Sequence, residues 1–355
     1  MFELNKIVRE NIRSLTPYSS ARDEYQGKQG IFLDANENAN GSPLSRNYNR
    51  YPDPMQRQAK EKISRLKNIP GENIFLGNGS DEAIDIVFRV FCRPGIDNVI
   101  ICPPTYGMYE VSANINDVEV RKVPLRSASF QLDPDGIYNT ADANTKIIFI
   151  CSPNNPTGNV MKEDVISDLL ANFPGIVVLD EAYADFSSTS FLNSLKKYPN
   201  LIILQTFSKA WGMAGLRVGM AFASKEIIDF FNRVKSPYNV NSVSQELLCE
   251  ALGNSEKVEK WIAEIRQERL RLTDELSKLP FVERIYPSQA NFILVKTADA
   301  GGLYRSLIAH QIIVRDRSKV ELCEGCLRIT IGTKSENKKL IEELKKYRNE
   351  KSIIY

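Results

Sequence analysis

From residue 74 onward the chain alternates short, unbroken apolar runs with stretches of helical period. The runs are IFLG (74–77), VIIC (99–102), IIFIC (147–151), IVVLD (176–180), LIILQ (201–205) and VGMAFA (218–223). A strand with one wet face alternates apolar and polar residues. These do not, so each is read as buried on both faces, in a parallel or mostly parallel sheet covered by helices. Between the first two runs, Ile84, Val87, Phe88 and Phe91 recur at i, i+3, i+4 and i+7, one face of a helix, with Ser80 placed as its N-cap.

The pattern changes after the polar block NVNSVSQE (239–246). A long charged helix is predicted over about 255–279. It is followed by ANFILVK (290–296), a Gly-Gly-led helix over 301–310, QIIVRD (311–316), CLRITIG (326–332) and a helix over 335–348. This predicts a smaller α/β domain after a larger one. The division expected is 1–30 as an N-terminal arm that joins the small domain and moves on ligand binding, 31–250 as the large domain and 251–355 as the small domain. The terminal KKLIEELKKYRNEK is basic, but Leu340, Leu344 and Tyr347 form an apolar stripe, so it reads as a solvated helix face and not a nucleic-acid site.

Composition narrows the chemistry. With 46 basic and 44 acidic residues the net charge is +2, so no overall field draws nucleic acid or an anionic membrane, and an anionic ligand must be met by local charges. His310 is the single histidine of 355 residues, which excludes zinc triads and every mechanism that needs two. The six cysteines (92, 102, 151, 249, 323, 326) are scattered through a chain too large to need staples, as in a reducing compartment. Cys323 and Cys326 form a C-x-x-C with no second pair to complete a zinc site, and no metal is expected. The opening MFELNKIVREN is charged and has no apolar stretch, and no apolar run approaches the ~20 residues of a membrane helix. A cytoplasmic protein is expected.

Four polar clusters sit at the ends of predicted strands: GNGSDE (77–82), SPNNPTGN (152–159), DEAY (180–183) and SKAWGMAGLRVG (208–219). In an open α/β sheet, ligands bind outside the carboxyl ends of the strands, so the four should share one pocket. Lys209 alone would be a solvated lysine. Asp180, however, ends its own apolar strand, and a buried carboxylate needs a positive partner such as a protonated pyridine nitrogen. A lysine to hold an aldehyde, a carboxylate for a ring nitrogen and an anion pocket are together what pyridoxal phosphate requires. The pocket is legible too: Gly77 and Gly79 allow close backbone approach, and the next helix offers N–H groups from about Ser80 and Asp81. Asp81 and Glu82 would repel a phosphate, so Arg217 and the Ser208 hydroxyl must compensate. GNGSDE lacks the third glycine of a dinucleotide fingerprint, and no Walker A sequence occurs.

LTPYSSAR (15–22), NRYPDP (49–54), GNGSDE, CPPTYGMY (102–109), CSPNNPTGN, LDEAY, TFSKAWGMAGLRVG and GCLRITIGT (325–333) carry a resemblance over essentially the whole length. The chain resembles the fold-type-I pyridoxal-phosphate aminotransferases. Within them, LTPY and the CLRITIGT ending make it similar to the histidinol-phosphate branch. DANENAN (34–40) departs from the pattern, with Ala39 where that family often has proline, and this loop is expected to be set differently.

The resemblance implies a role for each matching residue. Lys209 would hold the cofactor covalently and, once released, shuttle a proton; Asp180 would pair with the ring nitrogen; Asn155 and Tyr183 would bond the ring oxygen; Tyr106 would stack on the ring. Ser80, the Asp81 backbone, Ser208 and Arg217 would hold its phosphate, and Tyr51 would reach that phosphate from a neighbouring subunit, implying a homodimer. Tyr18, Arg315 and Arg328 would select the substrate, the two arginines serving phosphate and carboxylate in turn. The implied activity is ping-pong amino transfer between L-histidinol phosphate and 2-oxoglutarate, in histidine biosynthesis. The alternatives on the same scaffold are an aromatic amino-acid aminotransferase, a phosphothreonine decarboxylase or a non-catalytic cofactor-binding regulatory module; fold does not separate these.

Overall fold

A computed structural model describes residues 2–18, 30–127 and 129–347. The six apolar runs all form strands. With one further strand they are β1 (Ile74–Asn78), β2 (Asn98–Ile101), β3 (Glu119–Lys122), β4 (Thr145–Cys151), β5 (Ile176–Asp180), β6 (Leu201–Thr206) and β7 (Val218–Phe222). They make one sheet in the order β1-β7-β6-β5-β4-β2-β3, in which β7 runs antiparallel to both neighbours and the other pairings are parallel. The unbroken apolar runs have a direct cause. Ile148, Ile150, Val177, Leu179 and Ile203 enter the core on one face, while Ile147, Phe149, Ile176, Val178 and Ile202 enter a separate core on the other. β3, sequence EVRK, pairs only with β2 and is largely accessible, so it carries no apolar signal.

The second sheet joins β8 (Val282–Ile285), β9 (Phe292–Thr297), β10 (Arg315–Asp316) and β11 (Cys326–Thr330) in the order β10-β11-β9-β8, antiparallel throughout. Helices Ser255–Ser277, Ala300–Ala309 and Lys334–Lys346 cover one face, burying Leu272, Leu303 and Leu340 against Ile293, Leu327 and Ile329. Phe292, Leu294 and Cys326, on the other face, join the core that contains Tyr183 and Phe207 of the large sheet's loops. The small sheet therefore packs its second face on the large unit, and Arg328, one residue from Leu327 on β11, alternates onto that side. Of QIIVRD only the last two residues are strand, at the edge of the sheet.

Two details depart from the sequence reading. Ser80 does not cap the helix Gly79–Phe91; it lies inside it, because Gly79 enters at φ +74° and Asn78 holds the cap position. Residues 2–18 do not join the small sheet. Val8 and Ile12 are buried with Phe88, Val90 and Phe231 of the large unit, and Arg9 N–H donates to Val90 O at 3.0 Å. Burying these two apolar side chains on an apolar helix face is what ties the arm to the large unit; residues 19–29 lie outside the described residues. Among the described residues the six cysteines are free and buried, no helix is long and apolar enough to cross a membrane, and no cluster of three or more potential metal ligands occurs.

Candidate active site

β1, β4, β5 and β6 end on one side of the sheet, where a cavity of about 930 Å³ opens between the two sheets. Its wall includes Ser80, Asp81, Tyr106, Asn155, Asp180 and Tyr183, and also Ser208, Lys209, Arg217, Arg315 and Arg328. Two residues singled out in the sequence are not there. Tyr18 is exposed, and Tyr51 is half exposed, its ring stacked on Tyr238 (centroids 4.4 Å apart, 12° between planes) beside a separate hollow. The Tyr51 loop is nonetheless built: Glu37 accepts from the Tyr51 backbone N–H (2.6 Å) and from Arg50 Nη1 (2.7 Å).

Asp180 is the last residue of β5 and is buried. Its Oδ1 accepts from Ala182 N–H (3.0 Å) and its Oδ2 from the Tyr109 hydroxyl (2.6 Å), but among the described residues no cation lies within 4.0 Å to form an ion pair. Burial raises its pKa above the ordinary carboxylate value, and the Tyr109 and Ala182 bonds oppose this only in part. Lys209 follows β6 two residues beyond Phe207. Its side chain is reached from the cavity, with Nζ 5.7 Å from the Tyr183 ring centroid. The walls around the amine desolvate it and push its pKa down, with the nearby Arg328 guanidinium adding to the effect. An amine so shifted is neutral, and nucleophilic, in greater proportion at neutral pH.

The anion cradle is assembled where β7 meets the start of helix Gly79–Phe91. Gly79 N–H donates to Arg217 O at 2.9 Å, and a Cβ on Gly219 would fall 2.1 Å from the Ser80 nitrogen, so only glycine permits this approach. The first-turn N–H groups have no partner inside the helix and face an anion favourably. The Asp81 carboxylate, which the sequence places awkwardly close to a phosphate, is engaged elsewhere. It accepts from the Tyr106 hydroxyl (3.1 Å) and meets Arg217 Nη2 at 3.4 Å.

Across the cavity, Arg328 Nη1 donates to Asn155 Oδ1, joining the loop after β4 to the small sheet. That loop is fixed from behind by the buried Asn154, whose Nδ2 donates to Pro104 O (2.8 Å) and Thr157 Oγ1 (2.7 Å). Arg315 lies directly opposite Arg328 in the β10–β11 register. Like charges so placed repel unless an anion comes between them.

Sequence reasoning missed two residues. Tyr109 is fully buried, stacked on Phe149 (4.8 Å, 14°) and edge-on to Tyr106 (5.6 Å, 84°), and its hydroxyl holds Asp180. The signal was the tyrosine pair of CPPTYGMY at i, i+3, which puts both rings on one side of a turn of helix. Arg317 lines the cavity beside Arg315; the alternating arginines of RDR were its signal, since residues two apart on a strand share a face.

The sequence pattern of aminotransferase class I and II matches residues 23–344. The chain belongs to this family. Among relatives of this aminotransferase, a histidinol-phosphate aminotransferase of Cytophaga hutchinsonii is 56% identical over 98% of this chain and 99% of its own length. One from Parabacteroides distasonis is 53% identical over 97% and 99%. Among solved structures, the histidinol-phosphate aminotransferase of Clostridium acetobutylicum superposes with a TM-score of 0.77 at 26% identity, covering 84% of this chain and 90% of that one.

Proposed function

We propose that this aminotransferase moves the amino group of L-histidinol phosphate to 2-oxoglutarate, giving imidazole acetol phosphate and glutamate, as a homodimer in the cytoplasm, and so serves histidine biosynthesis. The observation that carries the reading is the convergence of Lys209 and the buried, cation-free Asp180 on one cavity with Arg217 on one wall and Arg315, Arg317 and Arg328 on the other. More than half of the residues are shared, end to end, with relatives named for this reaction.

The residues present fit pyridoxal phosphate. Asp180 is a desolvated carboxylate that gains a counter-charge from a protonated ring nitrogen, and the glycine-built cradle at Gly79 and Gly219 leaves room for an anion. When bound, the cofactor supplies the electron sink for charge that develops on the substrate carbon bearing the amino group. Asp180, held by Tyr109 and Ala182, would pair with the ring nitrogen and favour its protonated form. Asn155 and Tyr183 would bond the ring oxygen, Tyr106 would cover a ring face, and Ser80, Asp81 N–H, Ser208 and Arg217 would hold the phosphate. Lys209, its amine pKa depressed by burial, would hold the cofactor and, once released, serve as the base and acid that moves a proton at the substrate carbon bearing the amino group. Arg315 and Arg328 would bind the anionic groups of both substrates in turn, the resemblance alone assigns Tyr18 to the substrate, and Tyr51 would complete the phosphate site of a partner subunit. The free, buried cysteines suit a reducing compartment.

The test is competition among donors. With 2-oxoglutarate as acceptor, glutamate should form from L-histidinol phosphate at a kcat/KM at least about tenfold above that for tyrosine or phenylalanine, and Lys209→Ala should abolish it. Carbon dioxide release from O-phosphothreonine should be absent. Preference for an aromatic amino acid would overturn the substrate assignment.

A further inference from the structure

The small-sheet wall of the cavity carries more positive charge than two carboxylates require. Arg315, Arg317, Lys319 and Arg328 all line it. The backbone N–H of Arg317 donates to Cys326 O at 2.9 Å, which carries the β10–β11 ladder one step past Asp316 and sets Arg317 on the same face as Arg315. Arg317 is half-buried, and its Nε, like that of Arg328, is buried without a hydrogen-bond partner. None of Arg315, Arg317 and Arg328 forms an ion pair within 4.0 Å among the described residues, although the exposed Glu321 lies on the same rim. Desolvation by burial and the neighbouring Arg315 both work against the charge of Arg317, and Cys323, Tyr183 and Asp316 offset this only in part, so a bound anion would relieve the remainder.

The two substrates differ in the anion they present at this wall. A carboxylate has one charge and is met by one guanidinium fork, whereas a phosphate monoester carries about −1.5 to −2 and three acceptor oxygens. Arg328 touches Asn155 at the cofactor end, and Arg315 faces Arg328. These two suffice for the carboxylates of a dicarboxylic acceptor. Arg317 is surplus to that requirement, and a dianion would use it.

We propose that Arg317 selects the phosphate of the amino donor, pairing with the phosphate's second charge and contributing little to the carboxylates of the acceptor. This rests on the reading of the donor as a phosphate monoester.

The experiment uses the cofactor-loaded enzyme and its Arg317→Gln and Arg317→Lys variants. Calorimetry measures the Kd of 3-(imidazol-4-yl)propyl phosphate, the donor's skeleton without its amino group, and steady-state kinetics gives KM for L-histidinol phosphate and for 2-oxoglutarate. In Arg317→Gln the analogue's Kd and the donor's KM should both rise by about tenfold or more, as for loss of a charge-assisted bond, with 2-oxoglutarate KM within about twofold. The cofactor's visible absorption should be unchanged, and Arg317→Lys, which keeps the charge but not the fork, should fall between. An unaltered analogue Kd, or an equal rise in KM for both substrates, would overturn the proposal. The functional reading is tested separately by the unsubstituted enzyme. If that binds the analogue but transaminates no histidinol phosphate, the substrate assignment fails and the variant's Kd still decides the role of Arg317; if it does not bind the analogue, both fail.

Discussion

Asp180 shows how one residue can be costly for the fold and necessary for the chemistry. Burial raises its pKa, so the folded, cofactor-free chain holds the proton more tightly than the unfolded chain does. The sign follows directly. Below the unfolded carboxylate value of about 4 both states are protonated and Asp180 costs nothing. As pH rises through that value towards the raised one, the unfolded state ionises first and stability is lost; above the raised value the loss is complete. Asp180→Asn removes the ionisation. The cofactor-free variant should therefore melt above the cofactor-free parent at pH 7 to 8, with the gap closing below about pH 4. Addition of pyridoxal phosphate should raise the parent's melting temperature more than the variant's. A cofactor-free variant that melts lower at every pH would show the carboxylate to be a structural anchor for Tyr109 and Ala182. Lys209 and Asp180 were legible in the sequence because each follows or ends an unbroken apolar run. Tyr109 was not: a fully buried aromatic reads as core, and its partner Asp180 lies 71 positions away.

At the scale of elements, the site depends on how closely β7 can lie against the start of helix Gly79–Phe91. A Cβ on Gly219 would meet the Ser80 nitrogen at 2.1 Å and the Gly79 carbonyl carbon at 2.3 Å, both backbone atoms that cannot swing aside. Gly219→Ala should thus destabilise the protein by about 1–3 kcal/mol, as overpacking does, and loosen the phosphate cradle. The urea midpoint measures the first effect, and loss of cofactor on gel filtration the second. Unchanged values for both would contradict this account of the cradle. The same scale explains what sequence could not show. Strands buried on both faces are unbroken apolar runs and were all found. β3 and β8, sequences EVRK and VERI, are edge strands with accessible side chains and no such run. QIIVRD reads as longer than β10 is because Ile312 and Val314 pack into the core before the strand begins. Ser80 reads as a cap because a serine before a helical period usually is one; the positive φ of Gly79 lets the helix begin one residue earlier.

For the whole molecule, the unfinished feature is the surface around Tyr51. Ile31, Leu33, Leu44 and Tyr51 are exposed along one stretch of chain, and Val243 and Leu247 are exposed on the helix that follows Tyr238. If Tyr51 completes the partner's phosphate site, subunits with complementary defects should rescue each other. The Lys209→Ala and Tyr51→Ala variants should each be impaired alone. After mixed refolding, a hybrid holds one site with an intact Lys209 and an intact Tyr51 from the other subunit, and should regain about a quarter of parental activity on random pairing of independent sites. No recovery in verified hybrids would place Tyr51 in its own subunit's site or in none. The sequence alone suggested two units of unequal size and the order of their elements; it did not reveal that residues 2–18 pack on the large unit, because two apolar residues, Val8 and Ile12, among charged ones do not name the surface that buries them.

The central claim is that one cavity passes an amino group from a phosphate-bearing amine to a dicarboxylic oxoacid. The measurement that tests it most directly is the visible absorption of the cofactor-loaded enzyme as L-histidinol phosphate and then 2-oxoglutarate are added. The account predicts that the band is lost with the first and restored by the second, in stoichiometric amounts. A band that ignores histidinol phosphate, yet bleaches with an aromatic amino acid, would contradict it.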